Sequence, residues 1–204
     1  MLERFRQFWT NLWSPVGNAF LRMGIKPDWV TIVGTAGVSV AALWFFPRGQ
    51  FLIGVLVITA FVFSDIIDGY MARQSGQSSQ WGAFLDSTLD RVGDAAVFGG
   101  LVIYYTTSGA EATLGTPEIY MCLALACLVF GNITSYARAR AESLGFQAKG
   151  GIAERSDRLV SILVMTGFNG LLGLPVLTEI TLWVLALASL ITVLQRMHMV
   201  RKQA

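Results

Sequence analysis

Residues 65–90 read DIIDGYMARQSGQSSQWGAFLDSTLD and place four aspartates, Asp65, Asp68, Asp86 and Asp90, in the most apolar stretches of the chain. An aspartate near the middle of a bilayer costs about 2.5–3.5 kcal/mol of insertion free energy. Four of them in one short window therefore indicate that a cation or a reaction requires carboxylates there. The stretch predicts a metal-dependent active site in an all-α integral membrane protein.

The composition of the chain supports insertion into a membrane. Apolar residues make up 54% of the 204 residues and charged residues only 14%, whereas a soluble domain carries about 25% charged residues. The net charge of +2 is too small to indicate nucleic acid as a partner. Membrane topology and anionic lipid explain the basic residues better.

Six apolar runs are predicted to be transmembrane helices, each of which needs about 17–25 residues. They lie at residues 29–46, 51–70, 81–105, 120–136, 159–174 and 177–194. The run at 159–174 is short and rich in glycine. With six spans, nearly all Lys and Arg residues outside the spans fall on one side, and only Arg48 falls on the other. Since Lys and Arg mark the cytoplasmic side, both termini are predicted to be cytoplasmic in a plasma-membrane protein.

Residues 1–24 predict an amphipathic juxtamembrane helix that precedes the six spans. Apolar residues recur at helical spacing from Leu2 to Val16, with polar residues opposite, a pattern typical of a helix that lies in the membrane interface. A soluble helix packed on a partner is the alternative. No soluble domain, long linker or internal repeat is evident. Residues 1–204 are therefore predicted to form a single membrane domain, with residues 28–204 as its six-helix catalytic core.

The spacing of the aspartates predicts how they meet. Asp65 and Asp68 are three residues apart and Asp86 and Asp90 are four apart, so each pair shares one helix face. The polar turn at 74–80 would bring the two pairs together in an antiparallel hairpin near the cytoplasmic surface. Four close carboxylates repel one another unless a cation is present. Divalent cations such as Mg²⁺ prefer oxygen ligands, and the lack of His or Cys in the window argues against zinc.

Small residues accompany the aspartates. Gly69, Ala72 and Gly82 leave the helix surface bare, so that a ligand can approach the backbone. Arg73 can pair with a phosphate. Each feature has a structural alternative, because small residues also allow membrane helices to pack closely and Arg73 also fits a topology marker. Together with four aspartates they favour a ligand site.

The window resembles the signature of the CDP-alcohol phosphotransferase family, D-x2-D-G-x2-A-R-x8-G-x3-D-x3-D, at every fixed position, and the resemblance extends over nearly the whole chain. Enzymes of that family displace CMP from a CDP-linked lipid with an alcohol. The resemblance implies that Asp65, Asp68 and Asp86 hold two divalent cations, Mg²⁺ with Mn²⁺ as a substitute. It also implies that Asp90 contacts one cation and acts as the general base.

The resemblance further implies which residues bind the donor, CDP-diacylglycerol. These are Asp28, Trp29, Val30, Thr31, Gly69, Ala72, Arg73, Ser79 and Gly82. For Asp28 and Thr31, a role as helix caps remains the alternative.

The acceptor is indicated by the segments 135–142 and 154–159, which resemble those of the actinobacterial phosphatidylinositol phosphate synthases of this family. The resemblance implies inositol phosphate as the acceptor, bound by Arg138, Arg155 and Arg196, although the family often has Lys at the first of these positions. Arginines on one face suit a phosphate-bearing substrate. The resemblance also implies a homodimer.

Two other functions stay open at this point. Phosphatidylglycerophosphate synthase, with glycerol phosphate as the acceptor, is the nearest alternative. A cation transporter that uses intramembrane aspartates belongs to another class of protein. Transporters more often place carboxylates near the midplane on broken helices within repeats, and no repeat is evident here.

Overall fold

The computed structural model describes residues 14–62, 67, 69–71, 74, 79–107, 110 and 112–204. Every regular element among them is helical, which confirms the all-α prediction. The helices, in chain order, are α1 (14–22), α2 (Pro27–Phe45), α3 (Phe51–Val62), α4 (Gln80–Thr106), α5 (Pro117–Ser143), α6 (Arg155–Leu172) and α7 (Pro175–Arg201). A short 3₁₀ turn, Phe46–Arg48, follows α2.

Helices α2 to α7 each overlap one of the six predicted apolar runs. Among the described residues, three stretches are long and apolar enough to cross a membrane: Pro27–Arg48, Pro117–Ser143 and Pro175–Arg201. Phe51–Val62 is a shorter apolar helix. The chain is therefore a helical membrane protein, whereas the count of six spans and the interfacial position of the first helix stay predictions.

The helix ends follow local sequence signals. Pro117 and Pro175 each stand in the first turn of their helix, where the missing N–H of proline costs no hydrogen bond. Helix α6 begins with a capping box formed by Glu154 and Asp157, which satisfies two backbone donors. It ends at Gly173, whose φ of +67° is a left-handed conformation that favours glycine.

By compactness the chain divides into two units, and the first comprises Met1–Ala42 and Leu56–Ala96. A buried cluster of Val30, Ile67 and Met71 receives side chains of α1, among them Phe20. The Tyr70 hydroxyl donates a hydrogen bond of 3.0 Å to Asn18 Oδ1. Within the predicted 1–24 helix, residues 14–22 are thus helical and packed on this unit, and residues 1–13 lie outside the described part of the chain.

The second unit comprises Leu43–Val55 and Val97–Ala204, and in it α7 packs against both α5 and α6. The carboxylate of Glu179, on α7, is fully buried and accepts backbone N–H bonds from Thr113 (2.6 Å) and Leu114 (2.9 Å). Asn169 donates to the Thr178 hydroxyl at 3.1 Å. These bonds tie the segment before α5 and the end of α6 to the start of α7. The division into two units leaves the single-domain interpretation a prediction.

Candidate active site

Two of the four predicted aspartates lie on consecutive turns of α4. Asp86 is exposed, and the side chain of Asp90 is 22% exposed. Asp94 continues the same helix face one turn further on and is buried. Arg91 Nη2 lies 3.7 Å from Asp90 Oδ2, and Arg91 Nε lies 3.9 Å from Asp94 Oδ2. The sequence interpretation did not single out Arg91 or Asp94, although the four-residue repeat of aspartates pointed to the latter.

Asp65 and Asp68 lie outside the described residues, so the hairpin of four carboxylates stays a prediction. Within the described part of the chain no three His, Cys, Asp or Glu side chains gather as metal ligands. Asp86 and Asp90 nevertheless supply two carboxylates on one helix face, and carboxylate oxygens are what hard divalent cations prefer. The described residues therefore fit one part of a divalent-cation site.

The start of α4 brings together three of the predicted donor-binding residues. Ser79 Oγ accepts the backbone N–H of Gly82 at 2.9 Å, so Ser79 caps the helix. A Cβ atom at Gly82 would lie 3.4 Å from that oxygen and 3.8 Å from Asp28 Oδ1. Asp28, Ser79 and Gly82 thus surround one small space, which glycine keeps free of a side chain.

The other predicted donor-binding residues have varied surroundings. Val30 is buried in the core, and the hydroxyl of the buried Thr31 donates to the carbonyl oxygen of Pro27 at 3.3 Å, within its own helix. Because α2 begins at Pro27, Thr31 is too far along the helix to be its N-cap. Trp29 is 60% exposed and lines an apolar cavity of about 650 Å³. Gly69 is helical and partly buried, while Ala72 and Arg73 lie outside the described residues.

The three predicted acceptor arginines lie in the second unit. Arg138, near the end of α5, is exposed and pairs with Glu142 at 2.8 Å. Arg196, near the end of α7, is buried. The two guanidinium groups are close enough to repel each other, and Glu142 and Glu154 are close enough to attract Arg196. Arg155 is the first residue of α6 and directly follows Glu154.

Arg196 also has a structural role that the sequence interpretation missed. Its Nε donates to the Gly150 carbonyl at 3.0 Å, and its Nη1 donates to the Thr134 carbonyl at 2.7 Å. Buried carbonyl groups need such donors. Arg196 therefore joins α7 to α5 and to the segment before α6.

Arg158 is a second arginine whose structural role the sequence interpretation did not predict. It is one of the basic residues outside the predicted spans, and it is only 2% exposed. Its Nη1 donates to the Ala153 carbonyl at 3.3 Å. A Cβ atom at Gly131 on α5 would lie 3.1 Å from its Nη2. The guanidinium is thus buried in the space that Gly131 leaves, as part of the packing between α5 and α6.

Comparisons with known proteins identify the family of the chain. The CDP-alcohol phosphatidyltransferase family matches residues 25–195. A phosphatidylinositol phosphate synthase from Streptomyces avermitilis is 47% identical, over 100% of this chain and 84% of that protein. Two crystal structures of the phosphatidylinositol phosphate synthase from Mycobacterium tuberculosis, one with CDP-DAG bound and one in complex with manganese and citrate, are each 38% identical with a TM-score of 0.85. The match to the CDP-DAG structure covers 91% of this chain and 92% of the solved chain. The match to the manganese and citrate structure covers 92% of this chain and 88% of the solved chain. The chain belongs to the CDP-alcohol phosphatidyltransferase family of enzymes.

Proposed function

We propose that the chain transfers the phosphatidyl group of CDP-diacylglycerol to inositol phosphate and releases CMP, which is the activity of a phosphatidylinositol phosphate synthase in phospholipid biosynthesis. The observation that carries the proposal is the similarity, over the full chain, to proteins of that name. The clustered charges of Arg138 and Arg196 support it, because guanidinium groups suit an acceptor that carries a phosphate. The transporter alternative loses its basis, since the matching family consists of transferases.

On the donor side, Asp65, Asp68, Asp86 and Asp90 are proposed to hold two Mg²⁺ ions, for which Mn²⁺ substitutes. Bound there, the ions would neutralise charge on the diphosphate and on the departing CMP. The residues proposed to bind CDP-diacylglycerol are Asp28, Trp29, Val30, Thr31, Gly69, Ala72, Arg73, Ser79 and Gly82. The bare backbone at Gly82, beside Asp28 and Ser79, supports a close approach of the nucleotide.

Asp90 is proposed to be the general base. It accepts the proton of the attacking hydroxyl group, whose oxygen forms a bond to the phosphorus that carries diacylglycerol. The bond between that phosphorus and the CMP oxygen breaks, and CMP leaves with the electron pair. A base must reach the proton it accepts, and the partial exposure of Asp90 is compatible with this role.

On the acceptor side, Arg138, Arg155 and Arg196 are proposed to bind the phosphate of inositol phosphate. Arg138 would exchange its bond to Glu142 for the phosphate, and an exposed ion pair of that kind contributes at most about 1 kcal/mol. Arg196 would use the N–H groups that do not hold Gly150 and Thr134. The backbone bonds of Arg196 would pre-organise its guanidinium before the acceptor arrives.

We further propose that the protein is a homodimer in the plasma membrane, with both termini and the active site on the cytoplasmic side. The basic residues near the ends of α5 and α7 support this orientation. Labelling of a single cysteine introduced at Lys202 tests it: protection from an impermeant reagent in intact cells is expected, and labelling would contradict it. Cross-linking in native membranes tests the dimer, which a purely monomeric product would overturn.

The experiment that tests the activity measures CMP release by the purified protein from CDP-diacylglycerol with each of three acceptors. These are inositol phosphate, glycerol phosphate and free inositol. The highest kcat/KM is expected with inositol phosphate, and chelation of divalent cations should abolish release. A preference for glycerol phosphate would move the function to phosphatidylglycerophosphate synthase. A preference for free inositol would leave the arginines without their proposed role.

A further inference from the structure

The segment 146–154, which connects α5 to α6, is held along α7 by side chains; we call it the acceptor strap. The backbone N–H of Gln147 donates to Gln203 Oε1 at 2.9 Å, and Gln203 Nε2 donates back to the Gln147 carbonyl at 2.6 Å. Six residues later, the N–H of Ala153 donates to the hydroxyl of Thr192 at 3.1 Å. Between these points the Arg196 guanidinium donates to the Gly150 carbonyl.

The three points at which the strap is held follow one order along α7 and the turn after it. The strap positions 147, 150 and 153 pair with positions 203, 196 and 192, so the strap runs antiparallel to α7. The strap is neither helix nor strand, and side chains hold backbone groups of Gln147, Gly150 and Ala153 by hydrogen bonds.

The end of the strap next to α6 is fixed most tightly. Ala153 is buried, its N–H is held by Thr192, and its carbonyl accepts a bond from Arg158. Gly151 adopts φ +136°, and a Cβ atom there would collide with the side chain of Thr192. Thr192 is itself fully buried, and its hydroxyl donates to the Ala188 carbonyl at 2.8 Å. The Thr192 hydroxyl and the Arg158 guanidinium thus hold the two backbone groups of Ala153 just before α6.

We propose that Thr192 is a positioning residue for the acceptor: through Ala153 it fixes the first turn of α6 and therefore the guanidinium of Arg155. Arg155 lies two residues beyond Ala153. The capping box of Glu154 and Asp157 links the first turn of α6 to the residue that follows Ala153, so this turn moves together with Ala153. The inference rests on the proposed function, in which Arg155 binds the acceptor phosphate. Gln203 also helps to position Arg155, because it holds the other end of the strap. Its effect on acceptor binding is smaller, since it is further from Arg155.

The matched pair Thr192→Val and Thr192→Ser tests this proposal. Valine keeps the shape but leaves the buried Ala153 N–H without an acceptor, whereas serine keeps the oxygen. Thr192→Val should raise the KM for inositol phosphate by about fivefold or more and leave the KM for CDP-diacylglycerol unchanged. Thr192→Ser should restore most of the acceptor affinity. Hydrogen–deuterium exchange of peptides covering 147–153 should be faster in the valine variant only.

Several outcomes would overturn the proposal. An unchanged acceptor KM in Thr192→Val, with faster exchange of the strap, would show that strap order does not position Arg155. Equal loss in the valine and serine variants, or an equal rise in both KM values, would leave Thr192 a packing residue only. If wild-type protein prefers another acceptor, the proposed function fails by itself, and the same comparison is made with the acceptor that is used.

A second pair of variants covers the case in which Thr192→Val does not fold. Gln203→Ala removes both bonds to Gln147, and Lys202→Ala changes an exposed neighbour as the control. Gln203→Ala should raise the acceptor KM about twofold to threefold, as expected for weak exposed hydrogen bonds, and should speed exchange near Gln147. An acceptor KM equal to that of Lys202→Ala would refute a positioning role for the strap.

Discussion

The carboxylates on α4 and the arginines near α7 form regions that are built in different ways. Asp86 and Asp90 share one helix face, so local geometry alone places them together. Arg138 and Arg196 come from two helices that are far apart in sequence, and the place of Arg196 depends on bonds to the Gly150 and Thr134 carbonyls. Substitutions should therefore separate catalysis from folding among the carboxylates, whereas affinity and stability should change together at Arg196.

Asp90→Asn should give the largest effect on turnover. Asparagine keeps the size of the side chain but removes the proton acceptor, and loss of a general base lowers kcat by about 10²–10⁴. Manganese binding, followed by electron paramagnetic resonance, should survive better than turnover, and the thermal unfolding midpoint should not change. Near-normal kcat would show that Asp90 is not the base.

Glu118→Gln is the matched control for that variant. It makes the same carboxylate-to-amide change at an exposed position in the first turn of α5. Its kcat should equal that of the wild type. A comparable loss of kcat in both variants would show that the effect of Asp90→Asn is not specific to the active site.

Arg196→Gln should both destabilise the protein and weaken acceptor binding. The buried Thr134 carbonyl and the partly buried Gly150 carbonyl lose a charged donor, and hydrogen bonds to charged groups contribute about 1.5–3 kcal/mol. The thermal unfolding midpoint in detergent should fall, and the KM for inositol phosphate should rise. An unchanged unfolding midpoint with a raised KM would show that Arg196 binds the acceptor but does not stabilise the fold. The proposed difference between the carboxylates and the arginines would then be wrong.

Arg155→Gln should affect affinity for the acceptor alone. Loss of a charge-assisted bond to phosphate should raise the KM for inositol phosphate about tenfold or more, with little change in the KM for CDP-diacylglycerol. The unfolding midpoint should stay within error of the wild type. Equal changes in both KM values would show that Arg155 does not distinguish the substrates.

Arg138→Lys should give the smallest effect. Both side chains carry one positive charge, and the ion pair with Glu142 is exposed, so that stability should change by less than about 0.5 kcal/mol. The acceptor KM should change by less than about threefold, consistent with a point charge replacing a guanidinium. Arg138→Ala, in contrast, should raise the acceptor KM more than the lysine variant does. If the two variants behaved alike, the charge at this position would not matter.

Hydropathy predicted where the helices lie but not where they end. Helix α5 continues to Ser143 and α7 to Arg201, beyond the apolar runs predicted at 120–136 and 177–194. The added residues include Ala, Arg, Glu and Met, which favour helix irrespective of polarity. As a result Arg138 and Arg196 stand on helices rather than in loops.

The carboxylate motif could be recognised in the sequence because its aspartates lie close together along the chain. The acceptor strap could not be recognised in this way, because its bonds join residues that are far apart in sequence. Ala153 bonds to Thr192, 39 residues away, and Gln147 bonds to Gln203, 56 residues away. The burial of Arg158 was not predicted for a related reason. A basic residue beside a predicted span resembles a topology marker until the opposing Gly131 shows that there is room to bury it.

A competition between acceptors tests the account most directly. Purified protein receives CDP-diacylglycerol with equal concentrations of inositol phosphate and glycerol phosphate, and mass spectrometry quantifies the two lipid products. The account predicts that phosphatidylinositol phosphate predominates in the wild type and that Arg155→Gln reduces this excess. A wild-type excess of phosphatidylglycerol phosphate would contradict the assigned acceptor and with it the role of the arginine region.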